Sequence, residues 1–93
     1  MIEHEMNGSK ITKGIGEYIK GKITDEKLKA VGLLMSKSQW EKICRLYDDE
    51  GVKEADREFV TLPVVLTKHI SESEIHFVDK KGDVIAKVVG LER

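Results

Sequence analysis

Apolar residues recur at helical intervals through the first half of the chain, and toward its end they crowd into short β-branched runs. Ile11, Ile15, Tyr18, Ile19 and Ile23 share one helical face. With Ser9 ahead of them as an N-cap, they predict a first helix over about 10–20, with Gly21 as its stop. Gly14 and Gly16 weaken it by about 1 kcal/mol each. Thr24 then restarts the pattern as a second N-cap, with Asp25 and Glu26 favourably placed against the helix dipole. Leu28, Val31, Leu34 and Met35 form one stripe, which predicts a helix over about 25–35. Ser38-Gln39-Trp40-Glu41 has the form of a capping box. Behind it, Trp40, Ile43, Cys44, Leu46 and Tyr47 predict a third helix over about 38–50, closed by Gly51.

Beyond the charged stretch Val52 to Glu58 the period changes. Residues 59–67 read as a strand, and Pro63 within it points to an edge or a bulge. Strands are expected over about 74–79 and 83–89, joined at Asp79-Lys80-Lys81-Gly82 by a type I turn with a left-handed glycine. With Asp79 opposite Asp83, Val78 pairs with Val84 and Phe77 with Ile85. One face of the hairpin then carries Ile75, Phe77, Ile85 and Val89, and the other Val78, Val84, Ala86 and Val88. Both faces are apolar, so a partner chain or further helices must cover the second. The expected fold class is α+β, with N-terminal helices over about 10–20, 25–35 and 38–50 followed by a three-stranded antiparallel sheet over about 59–67, 74–79 and 83–89. Residues 1–8 read as a flexible tail or a short edge strand.

Composition narrows the class. The 93 residues, 40% hydrophobic and 35% charged, suit one small domain and are too apolar for a disordered chain. Aromatics make up only 5%, so Ile, Val and Leu must build the core. One cysteine, Cys44, allows no internal disulfide. The stretch Met1 to Lys10 does not read as a signal peptide, and no apolar run approaches a membrane span. A cytoplasmic location is the expectation.

Net charge is only −1, yet it is unevenly spread. From Ser9 to Tyr47 nine Lys or Arg face four acids, and from Asp48 to Arg93 seven bases face eleven acids. Such asymmetry marks either an anionic partner for the first half or two halves that attract each other, and the second is the commoner cause.

Catalytic signatures are absent from the sequence. His4, His69 and His76 have no metal-site spacing. Cys44 lies on an apolar helical stripe, where a small core residue is the ordinary reading. Asp48-Asp49-Glu50 and the pair Asp79 and Asp83 fall at a helix end and a turn, where solvated carboxylates are common. Gly14-x-Gly16 lacks the rest of a dinucleotide fingerprint. No enzyme activity, cofactor or metal is expected.

The leading expectation is a small non-enzymatic interaction or regulatory module that self-associates through its β half, using Ile75, Phe77, Val84, Ile85 and Val88. The alternative starts from residues 31–40, Val-Gly-Leu-Leu-Met-Ser-Lys-Ser-Gln-Trp, which resemble the turn and recognition-helix start of winged-helix proteins. That resemblance spans about a third of the chain and implies DNA binding by helix 38–50 with the 74–89 hairpin as a wing. Lys37, Gln39, Lys42, Arg45, Lys80 and Lys81 would then be the nucleic-acid contacts, although a pI near 6.3 is low for such a protein. The expected partners are a second copy or another protein, nucleic acid under the alternative, and no membrane.

Overall fold

Asn7 and Gly8 both take a left-handed conformation, with φ of 52° and 77°, and turn the chain out of a first strand, β1, Ile2–Glu5. Ser9 belongs to that turn, its hydroxyl donating to the Met6 carbonyl, and does not cap a helix. The cap is Thr12, whose Oγ1 accepts from the Ile15 N–H at 3.1 Å and so satisfies an orphan donor of the first turn. The first helix, α1, accordingly runs over Lys13–Asp25, later than expected, and passes through Gly21. The computed structural model describes residues 2–25 and 29–93.

The expected helix over 25–35 is overturned. Gly32–Met35 form a strand, β2, in the middle of the sheet; residues 26–28 of that expected helix lie outside the described residues. A short apolar run fits a buried strand as well as a helical stripe. Gly32 disfavours the helix and admits the Pro63 carbonyl to 3.5 Å from where a Cβ would stand. The second helix, α2, spans Lys37–Glu50. Its cap is Ser36, not Ser38: the Ser36 hydroxyl accepts from the Gln39 N–H at 3.2 Å. Gly51 closes it at φ 71°, its N–H donating to Asp48 O.

Three more strands complete the sheet: β3, Val64–Leu66; β4, Ile75–Val78; and β5, Val84–Val89. The expected strand over 59–67 is shorter because Val60 and Thr61, both at φ 59°, turn between Phe59 and Leu62, whose N–H donates to Phe59 O. The β4–β5 turn has the expected form. Gly82 is left-handed at φ 83°, and Asp79 Oδ1 accepts from the N–H groups of Lys81 and Asp83.

The three-stranded antiparallel sheet of the sequence reading is likewise replaced. Five strands lie in the order β1-β5-β4-β2-β3. β1 runs parallel to β5 and β3 parallel to β2, while β4 is antiparallel to both its neighbours. The chain steps from β1 to β2 and from β2 to β3 in the same direction along the sheet, through a helix each time. Crossovers of this kind are right-handed, so two taken in one direction deliver both helices to the same face.

That face is the core. Leu33 and Met35 of β2, Ile75 and Phe77 of β4, and Ala86 and Val88 of β5 are buried against Ile19 of α1 and Ile43 of α2. Trp40 and Tyr47 pack on its margin, whereas Val31 is 44% exposed. A register shift between Phe77 and Val78 sets Phe77 opposite Ala86 while Val78 keeps Val84. The inward set is therefore Ile75, Phe77, Ala86 and Val88, which corrects both expected hairpin faces. Behind β5, Gly90 has φ 75° and lies under the Glu5 carboxylate, so that a Cβ has neither the backbone conformation nor the room.

Candidate functional site

With both helices on one face, the other face of the sheet carries no helix among the described residues. Its register sets Glu3 of β1, Lys87 of β5, His76 of β4, Leu34 of β2 and Val65 of β3 in one row across all five strands. Toward the start of β2 the next row holds Val84, Val78 and Gly32. Toward its end lie Glu5 and Val89, with Glu74 beside them ahead of β4. Val65 is 55% exposed, and Leu34, Val78, Val84 and Val89 are half-buried without packing on the core. An apolar patch thus runs over β5, β4, β2 and β3, bordered by carboxylates on β1.

His76 stands at the centre. Its side chain is 17% exposed, and its Nε2 is buried with no hydrogen-bond partner. The Glu74 Oε1 is 3.8 Å away, beyond hydrogen-bonding distance. Burial holds the imidazole below its ordinary pKa, and the Lys87 ammonium on the paired strand pushes the same way, against the attraction of Glu74.

The expected self-association residues divide between the two faces. Ile75, Phe77 and Val88 have no exposed surface and lie inside the protomer. Ile85, displaced by the register shift, packs on the edge of the core. Val84 alone belongs to the uncovered face. Leu34, Val65 and His76 are the residues the sequence analysis missed, because Leu34 was assigned to a helix and their row depends on strands far apart in the chain; Val78 was placed beside Val84 on the second hairpin face but not among the self-association residues.

The expected nucleic-acid contacts do not form one surface. Gln39 has no exposed surface, and its Nε2 donates to the carbonyls of Glu72 and Glu92, so it is not available to a base edge. Lys42 donates to Glu92 O at 3.2 Å. Lys37 lies 4.0 Å from Glu41, one turn along α2, and Arg45 is exposed. Because Val78 pairs with Gly32 and Ile75 with Met35, the tip carrying Lys80 and Lys81 lies at the opposite end of the sheet from Lys37. The helix expected ahead of helix 38–50 is the strand β2, so the helix-turn-helix tract that carried the resemblance to winged-helix proteins is not formed.

Two clefts open elsewhere. One of about 500 Å³, lined by Ser36, Lys37, Leu66, Thr67, Lys68 and Ile70, lies where β2 and β3 end and α2 begins. The other, about 330 Å³, separates α1 from α2 above Phe59. Arg57 engages Asp48, and Lys13 engages Glu50, so two acids at the end of α2 have cationic partners. Cys44 is a half-buried free thiol. Among the described residues no three His, Cys, Asp or Glu gather as metal ligands, and no helix is long and apolar enough to cross a membrane.

No protein-family model matches the chain, and neither does any curated protein or solved structure compared with it.

Proposed function

We propose that the protein is a non-enzymatic interaction module that pairs with a second copy of itself through the uncovered face of its sheet. One observation carries this reading: α1 and α2 share a face, and Leu34, Val65, Val78 and Val84 are left on the other. A sheet with two apolar faces needs cover on both. A two-fold interface is built from one patch that must complement itself. This patch carries both signs, with Glu3 on β1 and Lys87 one strand inward. A copy turned about a two-fold axis along β4 sets His76 against His76 and leaves Glu3, on the edge strand, at the rim of the contact. The non-enzymatic part rests on the sequence, which holds no catalytic motif, and the single cysteine suits a cytoplasmic setting.

Sedimentation velocity over a range of concentrations tests this directly. The expected result is a monomer–dimer equilibrium, abolished by Leu34→Lys or Val78→Lys with the circular-dichroism spectrum unchanged. A monomer at the highest attainable concentration overturns the proposal.

A further inference from the structure

Histidine at the middle of a contact surface matters because it is the side chain whose charge ordinarily changes near neutral pH. We propose that His76 is a proton-operated release for the pair, a reading that rests on the sheet-face interface described above. Closing that interface removes the remaining exposure of the imidazole. A neutral ring tolerates this, since only one of its nitrogens carries a proton; a protonated ring must house a charge and two donors. Nothing at hydrogen-bond distance receives a donor at Nε2.

The charged groups on the surrounding elements set the sign. Lys87, opposite His76 on β5, opposes a second cation, and Glu74, just ahead of β4, favours one from 3.8 Å. Glu3 stands in the same row beyond Lys87, and Glu5 near the end of β1 is drawn to Asn7, whose N–H it accepts. On the other side β2 and β3 present Leu34 and Val65, which carry no charge. A second copy brings its own His76, Lys87 and Glu74 to the interface, but each Glu74 stands 3.8 Å from its own ring, so acidification adds two like charges to a desolvated surface with no carboxylate at hydrogen-bond distance. Proton uptake therefore favours the separated chains.

The test follows from linkage: if association disfavours the proton, the proton disfavours association by the same factor. Sedimentation of the full chain at about pH 7.5 and about pH 5.5, at constant ionic strength, is expected to show dissociation weakened at the higher value and promoted at the lower. With one His76 in each copy, the change should reach about tenfold per ring, and so about a hundredfold for the pair, for each unit by which pairing depresses the titration. His76→Phe should remain paired at the lower pH. NMR titration of the unmodified protein needs no substitution: the His76 midpoint should move to lower pH as protein concentration rises. Pairing that is equal at both pH values, or a midpoint independent of concentration in a protein that does pair, overturns the release. A protein monomeric at both values overturns the sheet-face interface itself, and the release with it.

Discussion

Ile43 and His76 lie on opposite sides of the sheet, one on α2 and the other on β4, and each answers to a different physical cost. Ile43 is 1% exposed and joins α2 to the strand residues of the core. Ile43→Ala removes buried methylenes and leaves a void, so it should lower stability by about 2–5 kcal/mol, a large share of what a domain of this size possesses. Urea denaturation checks this. For His76 the observable is the pH dependence of stability in dilute, unpaired protein. Its pKa in the fold is depressed, so the unfolded chain binds more protons just below about pH 6.5. Stability should hold steady above that value and decline as pH falls from it toward the folded midpoint. His76→Phe should flatten this interval in a series of thermal melts.

Among the elements, α2 offers the sharpest test of how its start is fixed. The Ser38-x-x-Glu41 spacing has the form of a cap, but Ser36 holds the capping bond and Ser38 lies within the first turn. Ser36→Ala should therefore cost about 1 kcal/mol in thermal denaturation, and Ser38→Ala less than about 0.5. The end of this helix at Gly51 and the turn at Asp79 to Gly82 were legible because both are set by local chemistry: a left-handed glycine and an aspartate bonding to the backbone just ahead. β2 was not legible, since Val31 to Met35 satisfies two periods and its strand partners lie far along the chain. Nor was the inward face of β5 legible, because one shifted residue exchanged Ile85 for Ala86 opposite Phe77.

At the scale of the molecule, the candidate site is a product of topology rather than of any motif. Two helical crossovers taken in one direction covered one face, and the strand order spread the residues of the other over five strands, from Glu3 to Val89. The uneven charge of the two halves has some counterpart in the ion pair of Lys13 with Glu50. The parallel pairing of β1 with β5 has a further consequence, for synthesis. Ile2 finds its partner Ala86 only when almost the whole described chain has left the ribosome, and Met6 and Gly8 donate to the carbonyls of Val89 and Gly90 at the same seam. A nascent chain halted before β5 has α1 and α2 but only a fragment of the sheet they cover. Such long-range closure is slow compared with local helix formation, so the sheet edge that β5 later fills stands open for that interval.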